Sequence, residues 1–456
     1  MRFHSLCPLL IACTAVAFAQ QPPPEPLTIS RAVAMAMERY PAVRVTEEQL
    51  AAARSAINLA RTAYLPRLDA HAQLNRATHN NVFGLLFPQS VIPAISGPVT
   101  PATSQNVWGS AIGTTFSWEP FDFGLRRANV GVSEAGEKRA QAAVTRTKFE
   151  VGALAAEAFV TMAAAQEMVT AAQAGVERAK VLETVIGAVV KAELRPGVDL
   201  SRTQAERAAA ETQVAQARQA VEVARATLAQ FVGLRPEEIR IDPGNMAGAA
   251  PASLTEAPAD AHPRVIEERA TIEEIAAREK VLDRSYFPRF NLLGSAFGRG
   301  TGANPDGTTG GWWSGFGPNT GNWAIGFAMT FAFFDFAQLR ARRDIEAHNE
   351  RAESARLEQV TREISGARDR ATAQFEGAQR IAANTPAQLK AARDTEQQAT
   401  ARYRAGLSTA VEVADAQRLL TQAEIDDSLA RLSVWRALLG VAAAAGNLDP
   451  FLEKAR

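Results

Sequence analysis

Tyr64-Leu65-Pro66-Arg67-Leu68 is written a second time in this chain, as Tyr286-Phe287-Pro288-Arg289-Phe290. The copies lie about 220 residues apart, too long a period for a solenoid and suited to two fused copies of one structural unit. The likeness extends upstream, from Pro41-Ala42-Val43 to Pro263-Arg264-Val265, and downstream, from Phe121-Asp122-Phe123 to Phe334-Asp335-Phe336. In each motif the proline favours an extended preceding residue and ends a helix, so it marks a switch from helix to strand. Each copy then reads helix, strand, loop, strand and very long helix.

The strands show in the alternation. Over 66–78, Leu68, Ala70, Ala72 and Leu74 alternate with Asp69, His71, Gln73 and Asn75, the period of a strand with one apolar and one polar face. Over 107–118, Trp108, Ile112, Phe116 and Trp118 share one face, with Gly109, Ala111, Gly113, Thr115 and Ser117 on the other. Residues 79–106 between them carry Pro, Gly, Ser and Thr and read as a loop, with an apolar run at Val82–Phe87. In copy two the strands are 287–298 and 322–333, separated by a Gly-rich loop. The last has the clearest alternation: Trp323, Ile325, Phe327, Met329, Phe331 and Phe333 against Ala324, Gly326, Ala328, Thr330 and Ala332.

The helices show in three- and four-residue steps. A first helix is expected over 30–63, capped by Thr28 or Ser30 and open to a break at Pro41. No proline occurs from Phe121 to Leu194, and Val151, Leu154, Ala158, Met162, Ala165 and Val169 form an Ala-rich seam that lets neighbouring helices approach closely. About 70 helical residues at about 1.5 Å each span roughly 100 Å. Arg195-Pro196-Gly197 breaks this helix, and Asp199 or Ser201 restarts the next, to Val232. Residues 233–261, rich in Pro and Gly, join the copies. Copy two has a helix over 263–285, then a long helix over 336–404 that Pro386 should interrupt and kink. Arg404-Ala405-Gly406 is the second break, and a last helix runs from Thr409 to Ala445. The chain thus divides into a signal (1–19), a first repeat (20–232), a linker near the equator (233–261), a second repeat (262–446) and a tail (447–456).

Composition narrows the function. Lys+Arg and Asp+Glu number 49 each, so no basic excess is present to hold nucleic acid. Arg2 and His4, an apolar run from Leu9 to Val16, and Ala17-Phe18-Ala19 read as an export signal cleaved after Ala19. Leu10-Ile11-Ala12-Cys13 offers the alternative of a lipidated Cys13, but a cut there leaves an unusually short signal. Cleavage after Ala19 removes both Cys7 and Cys13, and disulfides with them. The five histidines (His4, His71, His79, His262, His348) lack metal-ligand spacing, Gly298-Arg299-Gly300-Thr301-Gly302 does not lead from a strand into a helix, and no nucleophile–base pattern is visible. No enzymatic activity, metal or cofactor is expected.

Four strands of this length can cross a bilayer when tilted, with the aromatic face toward lipid and the small or polar face toward a lumen. A barrel needs about eight strands or more, and lipid tolerates no open edge. The chain must therefore oligomerise, with its long helices projecting from one barrel mouth. Strand alternation and helical seams each also occur in soluble proteins; export, duplication and Trp/Phe faces together favour a pore. A periplasmic coiled-coil adaptor without its own pore is the alternative, and an exported enzyme a further one; the duplicated aromatic strand pairs count against the adaptor.

The sequence resembles the TolC-like outer-membrane efflux proteins over nearly the whole mature chain. The likeness rests on Leu27-Thr28-Ile29-Ser30 with Ala32 and Ala36, the duplicated strand pairs, and Tyr403-Arg404-Ala405-Gly406 followed by Val411, Val413, Ala416, Gln417 and Leu420. It departs at Tyr40-Pro41 and His262-Pro263, where the family has Asn-Pro, and at the shorter first turn, Arg195-Pro196-Gly197-Val198-Asp199. The resemblance implies a mainly α fold with transmembrane β structure: a homotrimeric 12-strand β-barrel in the outer membrane continuing into a long periplasmic α-helical barrel. It implies passive conduction of substrates delivered by an inner-membrane transporter and a periplasmic adaptor, with the cargo (drug, metal ion or polypeptide) left open.

Three sets of residues become candidates. Tyr403, Glu412, Asp415 and, more weakly, Asp199 would line the periplasmic aperture; Glu412 and Asp415, three apart, share a helix face. The plainer reading makes those two carboxylates solvated helix-end residues. Arg195, Gly197, Val198, Arg404, Gly406 and Leu407 would dock the adaptor, although a Gly there also terminates a helix. Trp323, Ile325, Phe327, Met329 and Phe331 would face outer-membrane lipid.

Overall fold

The computed structural model describes residues 26–78, 105–193, 196–248, 250–251, 253, 258–304, 306, 308–331 and 333–456. The export signal, both cysteines, the Val82–Phe87 run and Arg195 lie outside the described residues.

The first helical segment is two helices, α1 (Ile29–Arg39) and α2 (Pro41–Thr62). The Thr28 hydroxyl accepts from the Arg31 N–H at 3.4 Å and caps α1. Tyr40 is held extended, φ −66° and ψ 130°, because Pro41 follows it and opens α2. The Pro66 motif then delivers the chain into β1 (Arg67–Thr78), paired with β2 (Asn106–Phe121). Next come α3 (Leu125–Lys191) and α4 (Gly197–Val232). Copy two repeats the order with α5 (Pro263–Arg284), β3 (Arg289–Thr301), β4 (Thr320–Thr330), α6 (Phe336–Arg404) and α7 (Ala410–Ala445). Matching helices have matching lengths: 22 residues in α2 and α5, 36 in α4 and α7, 67 and 69 in α3 and α6.

Several boundaries differ from the sequence expectations. β2 runs three residues past 118, and Pro120 sits where its register against β3 shifts, between Trp118 and Phe121; proline cannot donate to a ladder, so it is accommodated at the irregularity. β4 ends at Thr330, so Phe331 lies beyond the strand. α6 is not interrupted at Pro386: the helix continues through it to Arg404. There the Thr385 hydroxyl donates to Asp427 Oδ1 on α7 at 2.9 Å, tying the proline turn to its neighbour. α4 starts at Gly197 itself, not at Asp199 or Ser201, and the left-handed residue before it is Glu193, φ 62°. The tail (447–456) holds a further helix, α8 (Asp449–Ala455).

The four strands form one antiparallel sheet in the order β1-β2-β3-β4. β1 and β4 are its edges. The duplicated tyrosines brace its helical end differently. Tyr64 lies under the Arg126 guanidinium at 4.9 Å, and Arg126 is ion-paired with buried Asp122 at 2.8 Å. Tyr286 stacks on Phe336 at 5.7 Å. At the opposite end, Arg76 packs over Trp312 at 4.1 Å.

The largest apolar core lies midway along α3, where both copies meet. Phe159 and Met162 of α3, Leu228 of α4, Trp435 and Leu438 of α7 and Phe451 of α8 are all buried there. The joining segment takes part: Met246 is buried, Leu27 bridges Ile241, and the Trp435 indole N–H donates to the Gly248 carbonyl at 3.2 Å. α7 is, among the described residues, the one helix long and apolar enough to cross a membrane. Its apolar residues are instead spent in this core and against α3.

Candidate functional site

The two ends of the molecule carry different chemistry. At the sheet, alternation separates two faces. Trp323, Ile325, Phe327 and Met329 are 61–79% exposed on one side of β4, whereas Ala324, Gly326 and Ala328 on the other are half-buried. Phe331, past the strand end, is 42% exposed. The apolar side continues across the sheet in register: Phe327 opposes Leu292, Leu292 opposes Trp118, and Phe116 opposes Leu68. Phe290 stacks on Phe327 at 5.7 Å. Aromatic rings gather at both ends of this band, Trp108, Trp312, Trp313 and Phe316 at one, and Phe121, Phe123, Phe287 and Phe333 at the other. An apolar band flanked by two aromatic girdles is the pattern that the outer surface of a membrane barrel presents. The opposite face is polar: the His71 imidazole and Thr115 hydroxyl are hydrogen-bonded at 2.9 Å.

At the far end, the ends of α3 and α6 meet the starts of α4 and α7. Leu182 and Ile186 of α3 bury against Ala410 and Val413 of α7, with Leu200 and Tyr403 packed alongside. Gly406 turns the chain with φ 76°, left-handed and favourable only for glycine. Leu407 and Val198 stand out from the two turns, 70% and 69% exposed. Arg404 is exposed beside Gly406, while Gly197 serves as the first residue of α4.

Glu412 and Asp415 both lie on the exposed face of α7. Glu412 forms a reciprocal capping box with Thr409: the Glu412 N–H donates to the Thr409 hydroxyl at 3.4 Å, and the Thr409 N–H to Glu412 Oε1 at 3.5 Å. Asp415 pairs with Arg418 at 3.3 Å. The helix-end role is therefore present in the fold, and it leaves both carboxylates in solvent. The sequence reading missed Arg418, which adds a cation one turn on from the two acids. Asp199 is half-buried in the first turn of α4. A short way above, Arg178 of α3 grips α7: its guanidinium donates to both Glu424 oxygens, at 2.7 and 3.2 Å, and to Thr421 at 2.8 Å. Gly175 permits the close approach, since a Cβ there would meet Thr421 at 2.9 Å. Among the described residues no group of three His, Cys, Asp or Glu side chains could hold a metal.

Known proteins with this architecture are outer-membrane channels. The OprN channel superposes with a TM-score of 0.71 at 20% identity, over 92% of this chain and 90% of that one. CusC superposes with a TM-score of 0.73 at 14% identity, over 92% of each. The open state of MtrE from Neisseria gonorrhoeae gives 0.67 at 20% identity, over 92% of this chain and 89% of that one. No match was found among curated proteins. At these identities the likeness shows the fold. The family description "Outer membrane efflux protein" matches residues 32–234 and 259–447, taking in both helical repeats and both strand pairs. The chain therefore belongs to the outer membrane efflux protein family, and is a channel of the outer membrane with its helices in the periplasm, not an adaptor.

Proposed function

We propose that three copies of this chain form the exit duct of a tripartite system, engaged at the helical tip by a periplasmic adaptor and supplied by an inner-membrane transporter. One observation carries the reading: a four-stranded sheet with a lipid-type outer face and two edge strands left open. Lipid cannot accept those edges, and three such sheets placed edge to edge remove all of them. The chain conducts; the partners supply the energy.

In this reading Glu412 and Asp415, repeated by threefold symmetry, form acidic rings just inside the entrance, with Tyr403 and Asp199 beside them. Rings of carboxylate in a narrow pore attract cations and repel one another. Arg418 offsets one of the two carboxylate charges, so Glu412, Asp415 and Arg418 together stay net negative in each chain. The pair also places an Arg418 ring on the same exposed face of α7. Single-channel recording is the test. The double variant Glu412→Gln, Asp415→Asn is expected to lose cation selectivity and block by multivalent cations, and to turn toward anions because Arg418 remains. Equal selectivity and equal block would leave only the capping role.

The exposed Val198 and Leu407 are the proposed docking contacts, with Gly197, Arg404 and Gly406 shaping the turns around them. Arg195 belongs to the first turn by sequence. Val198→Trp and Leu407→Trp are expected to lower efflux in cells while the amount of assembled channel stays the same. Undiminished efflux in both variants would place docking elsewhere.

A further inference from the structure

His262 occupies a position that the duplication makes comparable within the chain. Tyr40 and His262 each precede the proline that opens a helix, and their backbones coincide: φ −66°, ψ 130° and φ −66°, ψ 131°. Tyr40 contributes no side-chain cap and packs its ring on Phe231 at 5.4 Å. His262 is buried, and its Nδ1 accepts the Arg264 N–H at 3.2 Å, capping α5. The Ala443 carbonyl near the end of α7 also acts on the ring, favouring its protonated form. The ring also closes on Gly446, the left-handed cap of α7: a Cβ at Gly446 would meet His262 Cδ2 at 2.8 Å. Phe149 of α3 holds the ring edge-on at 5.7 Å. One imidazole thus joins the start of one helix to the end of another.

Nδ1 is committed as an acceptor, so in the neutral ring the proton sits on Nε2. That fixes the neutral tautomer. A second proton would sit on Nδ1, facing the Arg264 N–H, and two donors would meet.

We propose that His262 is a proton-operated pin: neutral, it caps α5 while its ring packs against the end of α7; protonated, it loses the cap and the joint between the two helices loosens.

The surrounding charges agree with this. Burial is the first cause that holds the imidazole below its ordinary pKa, followed by Arg264 on α5 and Arg368 on α6; the Ala443 carbonyl and Glu150 on α3 act the other way. Glu363 and Arg370 of α6 line the groove beside it. α7 presents backbone only, and Arg368 already donates to its last carbonyls, Ala444 and Ala445, at 3.3 Å each. The positive end of α5 disfavours a cation at His262 and the negative end of α7 favours one, so the two dipoles oppose. Burial and the two arginines then decide the direction. Above about pH 6.5 the imidazole is neutral in both folded and unfolded chains. As pH falls below that, the unfolded chain takes the proton first, and the joint weakens until the folded histidine titrates in turn.

The inference needs only this joint, so it stands or falls apart from the conducting role. Hydrogen–deuterium exchange on the full-length channel in detergent, at pH 7.5 and 5.5 and corrected for intrinsic rates, tests it. In the wild type, peptides covering 262–268 and 440–447 are expected to exchange faster at pH 5.5, by up to about tenfold, because that pH lies about one unit below the ordinary imidazole pKa. The peptide covering 40–46, with tyrosine at the same position, is expected to show no such change. His262→Asn keeps an acceptor and a donor but cannot titrate, and is expected to abolish the response. A wild type without a response, or an equal response in His262→Asn, overturns the proposal. Should the variant fail to assemble, exchange of the imidazole Cε1 hydrogen in the wild-type peptide gives the midpoint directly: a value below about 6.5 supports the pin, and one at or above it overturns it.

Discussion

Exchanging Phe327 for arginine is expected to stop the chain from assembling in the outer membrane, and the same exchange at Ala328 to leave assembly intact. Phe327 is 66% exposed on β4, three residues before its end, in register with Leu292 and stacked on Phe290. An arginine facing lipid costs up to about 2–4 kcal/mol at the midplane and less toward the interfaces, and a threefold assembly carries the cost three times over. It also removes an aromatic stack worth about 0.5–1.5 kcal/mol. Ala328 lies on the other face, where its neighbours are polar or small, the face expected to line a lumen. Mass measurement of the detergent-extracted channel reads the result: trimer for Ala328→Arg, monomer or nothing for Phe327→Arg. The reverse pattern would mean that the faces are exchanged.

Trp435→Ala is expected to cost about 3–5 kcal/mol, the range for truncating a large buried aromatic. The side chain is 1% exposed, holds the Gly248 carbonyl of the joining segment, and meets Phe451 of α8 edge-on at 6.2 Å. One truncation therefore loosens α7, α8 and the segment between the copies together. Trp435→Phe keeps most of the volume and loses the N–H, so about 1 kcal/mol is expected. Urea unfolding of the helical region measures both. A loss below about 1 kcal/mol for Trp435→Ala would show that the site collapses around the gap and that the mid-helix core is anchored elsewhere.

The strand pairs were legible because alternation needs only local sequence: Trp323 to Met329 cannot lie on one side of anything but a strand. The long helices were legible for the same reason, and Pro66 and Pro288 marked the entry to β1 and β3. What escaped was decided by distant contacts. α8 has seven residues, too few for a helical period to show; Phe451 is helical because Trp435 lies above it. Pro386 would kink an isolated helix, yet α6 continues through it, packed along α7 and bonded to it at Asp427. At the entrance, Thr409-Ala410-Val411-Glu412 was a readable capping box, but no pattern shows that Arg178 reaches Glu424, or that His262 touches Ala443 and Gly446. Those partners lie roughly 180 to 250 residues apart along the chain.

The open edges of β1 and β4 also bear on inheritance. If no chain encloses a lumen alone and each neighbour completes its wall, a single faulty chain spoils the whole ring. When faulty and sound chains are made equally and mix freely, about one ring in eight contains only sound ones. Variants that fold and pair but cannot open should therefore suppress efflux in cells that still carry the unaltered copy. Variants such as Phe327→Arg, which never join a ring, should be masked by it. The genetics of dominance would thus separate failures of gating from failures of assembly without any channel being purified.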